Sequence, residues 1–300
     1  YYGYNGNVSR MVCRCPGDNK TYGYNFAYDN LSRLTSAQSL IGGIITLGYA
    51  TNYSYDKNGN LLHLRRGGQT GLSGTGIIDN LSFTLNGNQL KSVNDDATAT
   101  ASNGFEFKDG AKLATEYMYD ANGSLIKDLN KGIEIQYNLL NLPSQVKFSD
   151  GSTITYTYGA DGVKLRTVHK IGGVTTTTDY CDNVIYENGT AKQLLTEEGY
   201  VSLSDKKYHY YLKDHQGNNR MVVRLNGTLW NTEQVNHYYP FGGVFEVNTG
   251  ASGKQSYKYN GKELDRMHGL DWYDYGARMM DTALGRCHVM DTSNNRQGSI

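Results

Sequence analysis

Tyr117-Met118-Tyr119-Asp120-Ala121-Asn122-Gly123-Ser124-Leu125 is the stretch of sequence that decides the fold. It predicts a strand that ends at Tyr119, a tight turn and a return strand. Side chains alternate across a strand, so Tyr117 and Tyr119 are expected to share a face. Asn122-Gly123 is expected to supply the positive φ angles of the turn, because these residues adopt them at little steric cost. The stretch therefore predicts a β-hairpin.

The same unit recurs, imperfectly, along the first two thirds of the chain. Tyr53-Ser54-Tyr55-Asp56-Lys57-Asn58-Gly59 is a nearly complete copy, and Tyr156-Thr157-Tyr158 begins another. The residues that define the repeat are expected to be structural: Tyr53, Tyr55, Asp56, Gly59, Tyr117, Tyr119, Asp120, Gly123, Tyr156 and Tyr158. One hairpin is too small to bury a core, so neighbouring units must stack or pair edge to edge.

The composition favours many short strands joined by tight turns. The chain of 300 residues contains 36 Gly, 26 Tyr and only 3 Pro. Tyrosine packs well on a sheet, and glycine serves turns. No convincing amphipathic helix precedes residue 260, and Thr175–Thr178 predicts one more hairpin arm. The sequence therefore predicts an all-β fold of antiparallel β-hairpin repeats.

Charge and hydropathy argue against two classes of partner. Lys plus Arg and Asp plus Glu number 29 each, so no basic surface for nucleic acid is predicted. The longest apolar run, Leu40–Leu47, is interrupted by glycines and is too short for a membrane span. The first residues carry no initiator Met and no signal-peptide pattern, and they resemble the middle of a repeat, so we expect a fragment of a longer protein.

Neither a glycine-rich stretch nor the cysteines predict a functional site. Gly67–Gly76 predicts a mobile loop, since it lacks the glycine spacing and the terminal Lys of phosphate-binding loops. The four cysteines are Cys13, Cys15, Cys181 and Cys287. The first two are too close together for a zinc knuckle and no second pair follows, so incidental thiols and no metal site are expected.

The last third contains three distinctive segments. They are Tyr210-Tyr211-Leu212-Lys213-Asp214-His215-Gln216-Gly217-Asn218, Tyr239-Pro240-Phe241-Gly242 and Tyr273-Asp274-Tyr275-Gly276-Ala277-Arg278. Together with the upstream tyrosine–aspartate repeats, they resemble the Rhs/YD-repeat family of bacterial polymorphic-toxin proteins. The repeats and residues 257–264 look most similar to members from the Bacteroides group. The resemblance divides the chain into YD-type β-hairpin repeats at 1–205, an RHS repeat-associated core domain at 206–291 and a divergent tail at 292–300.

The resemblance implies both an architecture and a role. Family members form an antiparallel sheet that spirals into a hollow shell around a C-terminal toxin, and their core domain closes the shell. The partners would then be the rest of the same polypeptide and the enclosed toxin, and the location would be secreted or cell-surface. Hairpin spacing alone leaves a propeller and a packed sandwich open as alternatives to the spiral.

Asp281 and Asp291 are the candidate catalytic residues that the resemblance implies. In family members that cut themselves, aspartates of this part of the core act as an intramolecular aspartyl protease. Two carboxylates that share a proton can activate water and protonate the leaving amide. Arg278 and Arg286 are candidates for orienting these acids, or are ordinary ion-pair partners. Thr282 and Thr292 stand where the family usually has Pro, and the further Asp-Pro-x-Gly cleavage motif expected beyond Asp291 is missing. We therefore expect no enzymatic activity here.

Other candidate sites are weaker. His209, Asp214, His215 and His237 lack the spacing of a metal site, so packed or turn histidines and no cofactor are expected. No Gly-x-Ser-x-Gly elbow is present. The tyrosines are expected to form a structural ladder between repeats. Carbohydrate binding at the cell surface is the alternative, and it requires exposed rings in one groove.

Overall fold

The computed structural model describes residues 5–14, 20–71, 74–102, 105–245 and 255–291. Within these ranges the chain is built of strands and turns, with three single 3₁₀ turns and no α-helix. No helix in this part of the chain is long and apolar enough to cross a membrane. The all-β prediction is confirmed.

The first sheet has seven antiparallel strands in chain order. Its strands are β1 (Arg10–Arg14), β2 (Thr21–Tyr28), β3 (Leu34–Ile41), β4 (Ile44–Tyr55), β5 (Leu61–Gln69), β6 (Thr75–Asn86) and β7 (Gln89–Asp95). Each strand pairs with the next one along the chain, as the repeat predicts.

The second sheet has thirteen antiparallel strands, again in chain order. Its strands are β8 (Tyr117–Tyr119), β9 (Leu125–Asp128), β10 (Ile133–Tyr137), β11 (Pro143–Phe148), β12 (Thr153–Tyr158), β13 (Lys164–Ile171), β14 (Val174–Cys181), β15 (Val184–Glu187), β16 (Thr190–Thr196), β17 (Gly199–Ser202), β18 (Lys207–Lys213), β19 (Asn219–Asn226) and β20 (Leu229–Val235). Sheets of this width are not the four-stranded blades of a propeller. We call the two sheets, β1–β20, the strip.

Short strands also lie in residues 237–245 and 255–291, which we call the inner segment. They are β21 (His237–Tyr238), β22 (Val244–Phe245), β23 (Glu263–Asp265), β24 (Trp272–Asp274), β25 (Met279–Asp281) and β26 (Arg286–Cys287). The 3₁₀ turns are Pro240–Gly242, Tyr259–Gly261 and Met267–Gly269.

The turn after β8 shows why aspartate follows tyrosine in the repeat. The Asp120 carboxylate accepts hydrogen bonds from the backbone N–H groups of Asn122 (2.9 Å) and Ser124 (2.8 Å), so it caps its own turn. Asp56 and Asp214 cap their turns through the same spacing. The prediction of two positive φ angles was wrong in one detail. Gly123 alone takes one, at 79°, because this is a longer turn closed by a bulge.

A β-bulge precedes these turns. The pairing register shifts between Ser54 and Tyr55, between Met118 and Tyr119, and between Thr157 and Tyr158. A bulge adds one residue to one strand and increases the local twist. Because the bulges recur at the same place in each repeat, the twist accumulates along the strip.

In the glycine-rich stretch 67–76, residues 67–69 and 75–76 are strand, so the prediction of a mobile loop was wrong for these residues. Residues 72 and 73 lie outside the described residues. Gly67 and Gly68, near the end of β5, pair with Ile77 and Gly76 of β6. A Cβ on Gly67 would lie 2.4 Å from the Leu47 carbonyl oxygen. Glycine is therefore required for close backbone approach, and the stretch is not evidence of flexibility.

The strip curls around the inner segment. One hydrophobic cluster joins residues from β2 to β12 with the inner segment, with Leu64, Ile133 and Ile154 from the strip and Leu270 and Trp272 from the inner segment among its most buried members. A second cluster brings the two ends of the strip together: it joins Tyr22 of β2 to Met221, Val223 and Val235 of β19 and β20. The chain thus wraps once around its own continuation.

The boundary predicted between 205 and 206 falls in a turn of the second sheet. Ser202 of β17 pairs with Lys207 of β18, so hydrogen bonding continues from the predicted repeats into the predicted core domain. The sheet ends later, at Val235. The division into repeats and core domain stays a prediction, and its tail at 292–300 lies outside the described residues.

Candidate functional site: the junction of strip and inner segment

Buried and partly buried ionic groups hold the inner segment against the strip at three points. They are Arg66 with Asp79, Lys131 with Asp281, and Lys164 with Glu263 and Asp274. A buried charge is costly unless it is paired and hydrogen-bonded, so such groups fix the position of the parts they join. These three points form the candidate site.

Asp281 is fully buried at the end of β25. Its carboxylate lies 3.3 Å from the Lys131 ammonium group, which comes from the turn after β9. It also accepts hydrogen bonds from the backbone N–H of Ala283 (2.8 Å) and from the Trp272 indole N–H (3.4 Å). The residue predicted as a catalytic acid is therefore in contact with a cation from a repeat.

A second carboxylate, Asp128, shares this environment. Burial raises the pKa of Asp128 to about 6. The positive charge of Lys131 acts to lower this pKa, and the negative charge of Asp281 acts to raise it further. Burial lowers the pKa of Lys131, but the charges of Asp281 and Asp128 outweigh it and leave that pKa raised. The Lys131 ammonium group is thus a shared cation for two buried acids.

His288 completes the group. Its ring lies 4.2 Å from the Trp272 ring, centroid to centroid, and is fully buried. Burial lowers its pKa to about 4, although the charge of Asp281 opposes this. Within the described residues its Nε2 atom has no hydrogen-bond partner. The imidazole is therefore neutral at physiological pH.

Asp291, the other candidate acid, has a different environment. Its side chain is 56% exposed and lies 3.1 Å from the Arg278 guanidinium. Arg286 donates a hydrogen bond to the Asn88 carbonyl oxygen at 2.8 Å, and so ties β26 to the turn after β6. The structure thus gives Asp281 and Asp291 separate cationic partners, and their catalytic role stays a prediction. Thr292 lies outside the described residues.

Arg66 and Asp79 form a fully buried ion pair between β5 and β6, with nitrogen and oxygen 2.8 Å apart. Arg66 also donates to the Ala283 carbonyl oxygen at 3.1 Å and lies over the rings of Phe105 and Tyr239. Burial raises the pKa of Asp79 to about 6, and Arg66 opposes it. The pair therefore anchors the segment just after Asp281 to the first sheet.

Lys164 anchors the inner segment to the second sheet. Its ammonium group lies 2.8 Å from Glu263 and 2.6 Å from Asp274. The Tyr180 hydroxyl donates to Glu263 at 3.0 Å. Burial by itself would lower the pKa of Lys164. The nearby negative charges, of which Glu263 has the largest effect, outweigh burial and raise this pKa well above the usual value. β23 and β24 are thereby fixed on β13 and β14.

The three histidines considered, with Asp214, as a possible metal site lie in separate environments. The His209 Nδ1 atom contacts the Glu233 carboxylate, and its ring stacks on Tyr200 at 4.4 Å. His237 is buried against Tyr22, and Asp214 caps a turn and pairs with Arg220 at 2.8 Å. His215 is exposed in the same turn.

No group of three or more His, Cys, Asp or Glu residues in the described ranges is arranged to hold a metal ion. The absence of a metal site stays a prediction. Cys181 and Cys287 are free thiols, and burial raises the pKa of Cys287. Cys13 lies in β1, and Cys15 lies outside the described residues.

The repeat tyrosines connect successive hairpins through their hydroxyl groups. Tyr55 donates to the Leu34 carbonyl oxygen and Tyr137 to that of Leu125, both at 2.7 Å. Tyr117 and Tyr156 are buried in the main core. This arrangement agrees with the predicted structural ladder.

Exposed aromatic rings lie together on one small surface near the end of the strip. Tyr210 packs edge-on against Trp230, with ring centroids 5.5 Å apart, and lies 6.4 Å from Tyr208. A tilted pair of this kind is not a flat platform for sugar rings. Carbohydrate binding stays an untested alternative.

Two open clefts separate the strip from the inner segment. One, of about 720 Å³, lies beside Lys164, Arg278 and Asp291. The other, of about 910 Å³, lies between β12–β20 and residues 255–279, and many polar and ion-paired side chains line it together with aromatic and aliphatic ones. This part of the inner face of the second sheet therefore carries many polar groups.

Sequence reasoning found Asp281 but missed Lys131, Arg66 and Asp79. A signal for the last two was available. Arg66 shares its face of β5 with buried Leu64, and Asp79 shares its face of β6 with buried Leu81. Two opposite charges at inward positions of consecutive predicted strands indicate a buried pair. For Lys131 we find no signal, because its partner lies 150 residues further along the chain.

Comparisons with known proteins show the fold. No protein-family model and no curated protein sequence matches the chain. Among solved structures, it is similar to a chain of TcdB2-TccC3-Cdc42 (TM-score 0.63, 17% identity, 99% of this chain and 17% of that one). It is also similar to a chain of TcdB2-TccC3, with a TM-score of 0.62 and 16% identity over 98% of this chain and 17% of that one. A chain of the Photorhabdus luminescens Tc holotoxin pore is similar too, with a TM-score of 0.60 and 17% identity over 99% of this chain and 17% of that one. The chain thus spans about a sixth of the length of the chains it matches.

Proposed function

We propose that this chain is a wall segment of an Rhs-type β-sheet shell, from a protein of the Rhs/YD-repeat family of the Bacteroides type. Its role is structural and it has no catalytic activity of its own. The parent protein encloses a C-terminal toxin and is secreted or displayed at the cell surface. The partners of this segment are the rest of that polypeptide and the enclosed toxin.

One observation carries the proposal. The strip runs in chain order through β20 and curls until β2 packs on β19 and β20, while the next part of the same chain lies inside the curl. A sheet that grows one hairpin at a time around its own continuation has the geometry of a container wall. The likeness in fold to TcdB2-TccC3 supports the same proposal.

The ionic anchors fit this role better than catalysis. Arg66, Lys131 and Lys164 each come from the strip and each reach an acceptor in the inner segment. Arg66 is buried and the two lysines are partly buried, and each is held in ionic contacts, so none is free to move with a reacting group. The polar clefts beside them leave room for further polypeptide.

Protection from protease tests the shell. The parent polypeptide, cloned with its coding sequence on both sides of this segment, is treated with a broad-specificity protease and followed by mass spectrometry. We expect the polypeptide that follows Asp291 to survive doses that digest the same polypeptide expressed alone. Equal rates of digestion would contradict the proposal.

Autoproteolysis is the second candidate, and the environment of Asp281 favours it. A buried carboxylate beside a shared cation, with a second acid, Asp128, in the same environment, is an arrangement that acid–base catalysis can use. In such a site one acid would hold a proton and the other would accept one from water.

The test supplies the missing substrate. The chain is extended with a family-type downstream Asp-Pro cleavage motif, and its intact mass is measured over time. Cleavage that disappears in Asp281→Asn and in Asp291→Asn would establish the enzyme, with Asp161→Asn, in an exposed turn, as the matched control. An uncut chain would remove this candidate and leave the structural role.

A further inference from the structure

The strip ends in β20, whose outer edge pairs with no strand in the part of the chain that the structure describes. β20 pairs with β19 on one side, and it is the last strand in the order of the second sheet. After Asn236 the chain leaves the sheet and forms the separate β21–β22 pair. Alternate backbone N–H and C=O groups of β20 therefore point away from β19. Such an edge is a template for another strand.

Only part of this edge is free for such pairing. Val235, near the inner segment, is buried against β2. The other end of the β19–β20 hairpin, residues 225–232, projects beyond the first sheet and is exposed on every residue. Leu229 is 70% and Trp230 59% exposed. The projecting edge is therefore Leu229–Thr232.

The projecting edge continues into an apolar surface. Leu225 pairs with Trp230 across the hairpin, and Tyr210 packs on the same tryptophan from β18. Tyr208, next along β18 on that face, is also exposed. These side chains and the edge form one uncharged surface, which we call the edge patch.

The opposite end of the strip is protected in a way that the edge patch is not. β1, the other outer strand, has two arginines among its exposed residues, Arg10 and Arg14, on either side of Val12. Charged residues on an edge oppose pairing, since an antiparallel copy would place like charges together. Leu229–Thr232 contains no charged residue, and the neighbouring Glu233 is held by His209 and Arg224.

We propose that the edge patch is a homodimer interface, in which Thr228–Thr232 pairs antiparallel with the same residues of a second copy. A two-fold axis perpendicular to the joined sheet keeps each residue on its own face, so it places Trp230 opposite Trp230 of the second copy. Leu229 then lies opposite Asn231 and Thr228 opposite Thr232, so only neutral side chains meet. Self-complementarity of this kind is what a two-fold interface requires. The two sheets join into one, and the Trp230 rings pack across the new seam. The inference does not depend on the proposed shell.

Sedimentation of the purified chain over a wide concentration range tests the interface. We expect the wild-type mass to rise to twice that of the chain with concentration, and Thr232→Lys and Trp230→Lys to remain monomeric. Leu139→Lys, which adds the same charge at an exposed leucine of a distant turn, should dimerise like the wild type. Circular dichroism shows whether each variant is folded. If Trp230→Lys does not fold, the mass of Thr232→Lys alone tests the interface.

Tryptophan fluorescence gives an independent readout. The chain has two tryptophans, and the other, Trp272, is fully buried. We expect emission to shift to shorter wavelength, and quenching by acrylamide to fall, over the concentrations at which the mass doubles.

Several outcomes would overturn the proposal. They are a wild type that stays monomeric throughout, a dimer that persists in Thr232→Lys, and a mass that grows beyond two copies. A monomer that instead binds a synthetic peptide of residues 229–235 would show that the edge accepts strands but not a second copy, and would overturn the proposal as well.

Discussion

The Tyr55 hydroxyl donates a hydrogen bond to the carbonyl oxygen of Leu34, 2.7 Å away and one hairpin earlier in the strip. Tyr28 reaches the Val8 carbonyl oxygen in the same way at 2.9 Å. Burial raises the pKa of Tyr55 to about 12, so the hydroxyl keeps its proton and remains a donor. The tyrosine before each turn is therefore a link between hairpins as well as an apolar surface.

Replacement of Tyr55 by phenylalanine tests this link. The variant keeps the ring, including its contact with the Arg33 guanidinium, but leaves a carbonyl group without its donor. We expect a loss of about 1 kcal/mol in the free energy of unfolding, measured in urea. Tyr208→Phe, on an exposed ring, is the control and should change little. Equal effects in the two variants would contradict a role for the hydroxyl.

The sequence was sufficient for the hairpins because their causes are local. Asp120 finds its hydrogen-bond donors two and four residues away, and Gly123 supplies the one left-handed residue that the turn needs. The all-β class and the tyrosine ladder follow from the repetition of such units. The partner of each hydroxyl, in contrast, depends on the register between hairpins, which the bulges set.

Gly67 shows where a local interpretation was misleading. Glycine was taken as a sign of flexibility, but here it lets two backbones approach closely, a fact that only the pairing of β4, β5 and β6 reveals. The carbonyl oxygen of Gly67 also accepts a hydrogen bond from Tyr239 of the inner segment at 2.7 Å. The position is thus a contact between three parts of the chain.

Gly67→Ala is expected to destabilise the chain by about 1–3 kcal/mol, the usual range for overpacking. The added methyl would lie 2.4 Å from the Leu47 carbonyl oxygen, so the backbone must shift. Gly71→Ala is the matched control, because a methyl there meets no atom within 4 Å. Thermal unfolding of the two variants checks the prediction, and a Gly67→Ala melting curve like that of the control would refute it.

The ionic anchors could not be predicted as contacts, because they join residues far apart in sequence. Lys131 meets Asp281 and Arg66 meets Ala283 only after the strip has curled. Alternation can place a charge on the inward face, but it does not say which later residue neutralises that charge. The fold is thus largely encoded locally, and the junction is not.

Arg66→Met should be among the most destabilising single substitutions in the chain. It removes one partner of a fully buried ion pair and leaves Asp79 as an uncompensated charge, for which about 3–5 kcal/mol is typical. Arg65→Met, on the neighbouring exposed residue, should cost little. Urea unfolding measures both variants.

The double variant Arg66→Met with Asp79→Leu separates the charge effect from packing. Because both charges are then absent, we expect it to recover most of the lost stability. A double variant as unstable as Arg66→Met alone would show that other lost contacts carry the effect: those of Arg66 with Ala283, Phe105 and Tyr239, or the hydrogen bond that Asp79 accepts from the Phe107 N–H.

His288 predicts a pH-dependent term in stability. Its pKa falls from 6.5 to about 4 on folding because it is buried. Between these values the unfolded chain binds the proton and the folded chain does not, so this term makes stability rise with pH from about 4 to 6.5 and stay constant above. Asp79 and Asp128, whose pKa values rise to about 6, act in the opposite direction over a similar range.

The comparison of wild type with His288→Gln isolates the histidine term from those of the two aspartates. We expect the stability of the wild type relative to the variant to increase by about 3 kcal/mol between pH 4 and 6.5, from about 1.4 kcal/mol for each unit of pKa shift. His215→Gln, in an exposed turn, should give no comparable increase. Since the aspartate terms are common to both proteins, a difference that does not vary with pH would mean that His288 is not buried as a neutral group beside Asp281.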